Sequence, residues 1–322
     1  MTAKESDPEM MVAKVGRRSL VKGAAIALAL GAASIGLAPL GATSDATTKI
    51  IAVGAENEYA NVISQIGGQY VSVSAIMSNP NTDPHTFEAS PSVATIVSAA
   101  QLVVQNGVGY DTFMNKIESA SPNSRRKVID VQTLRNLPNS TPNPHLWYSP
   151  LTMPAVAKAV ASDLSSFDPS EASYFSANVT KFDNSLKPWL AAIAKVKKEY
   201  PNAPVADTEP VGDYMLQAAG TDIMTPWVLQ ADIMNGVDPS PQAVTVEENL
   251  FSQHRVKVFL YNQQVTDSLT ATFLSDAQKA GIPVVGVYET MPVPGYDYQS
   301  WMLAEVNALL RALSSKQSTE KL

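Results

Sequence analysis

Residues 49–77 read KIIAVGAENEYANVISQIGGQYVSVSAIM, and this stretch decides the fold class. Lys49–Val53 is a short β-rich run, Asn57–Gly67 reads as helix, and Val71–Met77 is β-rich again. Strand, helix and strand in such a short span make a βαβ unit, which pairs its strands in parallel. Working outward, Leu102–Gln105 and Lys127–Asp130 add two more strands, with Pro91–Ala100 as helix before the third. The second half repeats the style. Pro204–Asp207, Val256–Tyr261 and Pro283–Tyr288 read as buried strands, Met215–Ala219 and Thr266–Ala280 as helix, and Tyr298–Ser314 as a closing helix. The expected fold is α/β, with two lobes that each hold a small, mainly parallel sheet flanked by helices.

Ser170–Tyr200 lies between the halves. It follows Asp168-Pro169 and opens with a capping residue and an acid in the first turn. Apolar residues then recur near helical spacing at Tyr174, Phe175, Val179, Phe182, Leu186, Trp189, Leu190, Ile193 and Val196. A helix of about 30 residues is roughly 45 Å long, so one long rigid helix joining the lobes is the simplest reading. Two shorter helices broken at Pro188 are the alternative. The organisation is then an export signal over 1–46, an N-terminal α/β lobe over 47–169, a linker helix over 170–200 and a C-terminal α/β lobe over 201–322.

The first 46 residues read as an address. Arg17-Arg18 precede an uncharged run from Gly23 to Ala42, rich in Ala, Gly and Leu, and small residues follow. That is the pattern of a twin-arginine export signal. A permanent anchor is the alternative, since the run approaches the length that spans a bilayer. An exported protein, periplasmic or held at the outer face of the cytoplasmic membrane, is expected.

Composition narrows the chemistry. The 322 residues carry 23 Lys and Arg against 30 Asp and Glu, a formal net charge of -7. The absence of a basic excess argues against nucleic acid as a partner. With no cysteine, the chain has no disulfides, thiolate metal sites or iron–sulfur clusters. Only three histidines are available. Two share one frame: Pro84-His85-Thr86-Phe87 continues to Ser90-Pro91, and Pro144-His145-Leu146-Trp147 continues to Ser149-Pro150. A proline before each histidine stiffens its loop, which lowers the entropy cost of ligation. Such a pair, joined by carboxylates, suits a first-row divalent cation. His254 precedes a strand in a polar stretch and reads as a surface turn.

Carboxylates complete the cage. In open α/β sheets, ligands gather beyond the carboxyl ends of strands. Glu209 follows the Pro204–Asp207 strand and Glu289 follows the Pro283–Tyr288 strand, so both are candidate metal ligands, with Asp213 and Asp297 in reserve. No Gly-x-Ser-x-Gly elbow, phosphate-loop Gly-Lys-Ser/Thr or His-Glu-x-x-His occurs. Gly107-Val108-Gly109-Tyr110 is too short for a dinucleotide fingerprint.

Taken together, the chain resembles the metal-binding, zinc/manganese class of ABC-transporter substrate-binding proteins. The resemblance rests on Asp83-Pro84-His85-Thr86-Phe87-Glu88 with Ser90-Pro91, Asn106-Gly107, Asn143-Pro144-His145-Leu146-Trp147, Asp168-Pro169 with Tyr174 and Asn178, Thr208-Glu209 and Gly281-Ile282-Pro283. It covers nearly everything after residue 48. It implies two four-stranded lobes joined by one long helix, a metal held between them by His85, His145, Glu209 and Glu289, and no enzymatic activity. It also implies a membrane permease as partner and a monomer. The transported ion is then Zn²⁺ or Mn²⁺, with Fe²⁺ also compatible. A metal-dependent hydrolase using the same ligands, and a receptor for a metal chelate or organic solute, are the rival functions. The chain departs from the family pattern at Asn143, where Asp is usual, at Asn262-Gln263-Gln264, where an acid is common, and at Glu289, where Asp is commoner. The histidine-rich loop of many zinc receptors is absent.

Overall fold

The computed structural model describes residues 49–79, 87–292 and 294–322. The export-signal reading over 1–46 therefore lies outside the described residues, and so does His85. The first half runs β1 (Ile50–Glu56), α1 (Asn57–Gly67), β2 (Val71–Met77), α2 (Pro91–Ala99), β3 (Leu102–Gln105), α3 (Thr112–Ala120), β4 (Lys127–Asp130) and α4 (Val131–Leu134). Then come α5 (Thr152–Phe167), α6 (Ala172–Ser185) and α7 (Lys187–Glu199). The second half runs β5 (Pro204–Asp207), α8 (Asp213–Ala218), β6 (Asp222–Ile223), α9 (Trp227–Met234), α10 (Pro241–Ser252), β7 (Val258–Asn262), α11 (Ser268–Lys279), β8 (Val284–Val287) and α12 (Tyr298–Ser315).

Both sheets are fully parallel and share one topology, β2-β1-β3-β4 in the first and β6-β5-β7-β8 in the second. Each chain path moves outward from its first strand and then returns past it. The strand order therefore reverses between β1 and β3 and between β5 and β7. Crevices beyond the carboxyl ends of strands at such reversals are where open α/β sheets bind ligands.

Side chains alternate across each sheet. Ala52 and Val104 face a central core, while Val53 and Val103 face a smaller cluster with Val97 and Met114. In the second sheet Leu260 faces the central core and Phe259 faces Phe251 and Phe273. The central core is shared by both halves. Trp189 of α7 packs edge-to-face on Tyr298, 6.0 Å between centroids, and Tyr148 packs on Trp301 at 5.8 Å. Hydrogen bonds tie the halves together as well: Asn57 exchanges two 2.8 Å bonds with the backbone of Met291, and Tyr298 Oη donates to the Trp147 carbonyl at 2.6 Å.

Several boundaries differ from expectation. β1 extends through Gly54 to Glu56, because Gly54 and Glu56 still pair with Ala75 and Met77. A Cβ at Gly54 would lie 2.3 Å from the Ala60 nitrogen, so only glycine permits this approach of α1 to β1. The helical stretch expected over 170–200 is present as two consecutive segments, broken at Leu186. Pro188 has no N–H to donate to the Asn184 carbonyl. Leu186 keeps helical dihedrals, φ -78 and ψ -15, and accepts from Leu190 at 3.0 Å, so the second segment resumes at once. His254 sits in an exposed turn at φ 51, as expected.

Candidate metal centre

The second sheet supplies three groups from adjacent strand ends. Glu209 lies two residues past β5, Asn262 is the last residue of β7, and Glu289 lies two residues past β8. All three are at most 1% exposed. Asn262 Nδ2 donates to Glu209 Oε1 at 3.1 Å and to Glu289 Oε1 at 2.7 Å. The amide cannot be turned the other way, because Asn262 Oδ1 accepts from the Gln264 backbone at 3.0 Å. Gln264 Oε1 in turn accepts from the backbone N–H groups of Glu289 and Thr290, at 2.6 and 2.8 Å.

The first half contributes His145, which is fully buried. Its Nε2 lies 3.5 Å from Glu289 Oε2. Asn143 Oδ1 accepts from the His145 backbone N–H at 2.9 Å and lies 2.8 Å from Nδ1. Asn143 Nδ2 donates to the Pro210 carbonyl at 2.7 Å, which fixes Oδ1 as the end facing the imidazole. The proton thus sits on Nδ1, and Nε2 presents its lone pair, the arrangement a metal-ligating histidine needs. The Asn that departs from the family's Asp is explained by this geometry: a carboxylate would accept from Nδ1–H but could not donate to Pro210.

Tyr110 completes the wall. Its hydroxyl donates to Glu289 Oε2 at 2.8 Å, and its ring meets those of His145 and Trp147 edge-on. The 106–111 turn that presents it is braced. Asp111 accepts from the Asn106 and Gly107 N–H groups at 2.6 and 2.9 Å, and Asn106 Nδ2 holds the Pro144 carbonyl at 2.8 Å. Burial pushes the Asp111 carboxyl up to about 6, and these backbone donors oppose the rise.

The expected ligands therefore divide. The structure brings His145, Glu209 and Glu289 to one locus, while His85 lies outside the described residues. Among the described residues no three His, Asp or Glu side chains are grouped closely enough to share one ion. The two reserve acids serve elsewhere. Asp297 caps α12 through the Ser300 backbone at 2.9 Å. Asp213 shares Gln230 Nε2 with Asp207, and burial raises its carboxyl to about 6.

Sequence reasoning did not identify Asn262, Tyr110 or Asn143 as site residues. The signal for two of them was visible, since Asn143 and Asn262 are the positions where the family pattern fails. It also missed Glu56 and Glu58, both fully buried. Their carboxyl oxygens have no hydrogen bond of ordinary geometry among the described residues. Burial pushes both well above the usual carboxylate range. For Glu56 the charges of Asp111 and Glu58 add to it, and for Glu58 the charge of Glu289 does so.

Known proteins match this architecture. Solved structures similar to the chain include the periplasmic zinc-binding protein TroA from Treponema pallidum, at TM-score 0.70 and 17% identity over 83% of this chain and 99% of that one. A periplasmic metal-binding protein from Candidatus Liberibacter asiaticus matches at TM-score 0.68 and 18% identity, over 82% of this chain and all of the other. At such identities the likeness speaks for the fold. A Thermotoga maritima relative named for metal binding is 32% identical over 95 residues, which is 29% of this chain and 33% of that protein. The sequence profile of ZnuA, the periplasmic component A of the zinc-uptake complex, matches residues 53–312, and the chain belongs to that family.

Proposed function

We propose that this protein is an exported receptor that captures one Zn²⁺ or Mn²⁺ ion between its two lobes and delivers it to an ABC-transporter permease. His85, His145, Glu209 and Glu289 are the ligands, drawn into one cage only as the lobes close on the ion, and the ion is cargo. The observation that carries this reading is the buried His145–Glu289 pair, 3.5 Å apart, with the imidazole turned by Asn143 so that Nε2 faces the carboxylate. A histidine and an acid from opposite halves, both fully buried, meet where a cation would join them. That spacing suits a bare ion and leaves no room for a chelate between the two ligands. A cavity of about 730 Å³ shares Tyr110 with this locus and is lined also by Phe87, Phe113, Lys116, Met234 and Val265.

Residues 1–46 act as the export signal, 47–169 and 201–322 as the ion-binding lobes, and 170–200 as the connection between them, in a monomer. Among the described residues no helix is long and apolar enough to cross a membrane. Two imidazoles and two carboxylates form a mixed nitrogen and oxygen site, for which the usual order places Zn²⁺ above Mn²⁺ in affinity. Calorimetric titration of the mature chain tests the assignment. One ion should bind per chain, and His85→Ala and His145→Ala should each weaken binding severely while the fold survives. Unchanged affinity in either variant contradicts the cage.

A further inference from the structure

We infer that Asn262 determines which divalent metal the site prefers, by holding Glu209 and Glu289 as one-oxygen ligands. This rests on the metal-site reading above and goes beyond it. One amide nitrogen carries both hydrogen atoms to the two carboxylates, and each takes its bond on Oε1. For Glu289 the other oxygen, Oε2, is the one that accepts from Tyr110 and lies nearest His145 Nε2. An ion next to that imidazole therefore meets Oε2 while Oε1 stays with the amide. Carboxylates limited to one oxygen each give a low coordination number, which suits Zn²⁺. Mn²⁺ favours more oxygen ligands and a six-coordinate shell.

The amide is built in from every side. Its backbone N–H donates to Thr208 Oγ1 at 3.1 Å, its Oδ1 accepts from Gln264, and Asn262 is fully buried. An aspartate of the same shape would present oxygen to two carboxylates, so the asparagine here is a positioning residue that also withholds a charge. The departure from the family pattern at this position acquires a chemical meaning: the chain gives up an acidic oxygen and gains a clamp on two others.

The test compares wild type, Asn262→Ser and Asn262→Asp as full mature chains. Zn²⁺ and Mn²⁺ affinities are read by competition calorimetry, and coordination by the visible absorption of bound Co²⁺. Serine can hold only one carboxylate. It should lower Zn²⁺ affinity by about 10- to 100-fold, the range for loss of a partner that orients a ligand, and Mn²⁺ affinity by less. The Co²⁺ bands should weaken as coordination number rises. Aspartate should move the Zn²⁺-to-Mn²⁺ ratio in the same direction, and it decides the matter if the serine variant fails to fold. An unchanged ratio with an unchanged Co²⁺ spectrum, even where both affinities fall, overturns the inference and leaves Asn262 as a structural residue. Loss of Zn²⁺ binding in His145→Ala alongside that outcome would show that the metal site stands without it. Undiminished binding in His145→Ala would remove the site itself.

Discussion

Glu56 and Glu289 are both buried acids at the carboxyl ends of strands. One ends β1 of the first sheet, the other follows β8 of the second, and neither is exposed. Their surroundings differ completely. Glu289 has a donor on each oxygen, Asn262 Nδ2 at 2.7 Å and Tyr110 Oη at 2.8 Å. Among the described residues Glu56 and its neighbour Glu58 have no hydrogen bond of ordinary geometry on their carboxyl oxygens, and burial with adjacent acids favours their neutral form. Burying a carboxylate is tolerable when donors replace its water and costly when none do. The same residue type thus meets donors on both oxygens in one place and the charges of neighbouring acids in the other. Burial alone does not separate the two acids; the donors around each do.

The largest effect should come from replacing each acid in turn by its amide. Glu289→Gln should lower Zn²⁺ affinity by more than about 100-fold, beyond the range for an orienting partner. Glu56→Gln should leave it within a few-fold of wild type. Parallel calorimetric titrations check both, and similar losses in the two variants would break the comparison.

Tyr110→Phe removes one donor and keeps the ring. Affinity should fall by about tenfold, with melting temperature of the metal-free protein nearly unchanged. A loss confined to stability would assign Tyr110 to the core rather than to Glu289.

A third buried acid sharpens the contrast through pH. Glu305 of α12 accepts from Trp301 Nε1 at 2.7 Å and lies 2.9 Å from Tyr148 Oη, yet burial still raises its carboxyl from 4.5 to about 8. A group protonated in the folded state and ionised in the unfolded one stabilises at low pH and loses that contribution as pH rises. Stability should therefore fall between about 4.5 and 8 through this residue. Glu305→Gln should match wild type near pH 4 and melt at a higher temperature near pH 8. Equal melting at both pH values would show Glu305 ionised in the fold.

The smallest effect concerns the connecting helix. Pro188→Ala restores an N–H toward the Asn184 carbonyl, where Leu186 already has helical dihedrals. Stability should rise by about 1 kcal/mol or less, the worth of one ordinary hydrogen bond, and Zn²⁺ affinity should not change.

The fold was legible because its signals are local. Val71–Met77, Leu102–Gln105, Lys127–Asp130 and Pro204–Asp207 form strands with the bounds their apolar runs suggest. The two-residue strand β6, Asp222–Ile223, is too short and too polar to announce itself, and it exists because Pro204 and Val205 offer it a partner. The break at Leu186 follows from the missing N–H of Pro188, which apolar periodicity does not register although the proline itself marks it. Strand ends and a repeated Pro-His frame picked out His145, Glu209 and Glu289 as candidates, and the fold brings them to one locus. The amides that orient them were not picked out, because Asn143 acts on Pro210 and Asn262 on Glu209 and Glu289, and no sequence interval encodes those contacts. They showed only as positions where an expected acid was absent.

Anomalous diffraction from crystals of the zinc-loaded protein, collected on both sides of the zinc edge, tests the central claim most directly. The account predicts one strong peak within coordination distance of His145 Nε2 and Glu289 Oε2, with Asn262 Nδ2 still on both carboxylates. A peak remote from His145, or zinc held through Nδ1 of its ring, would contradict it.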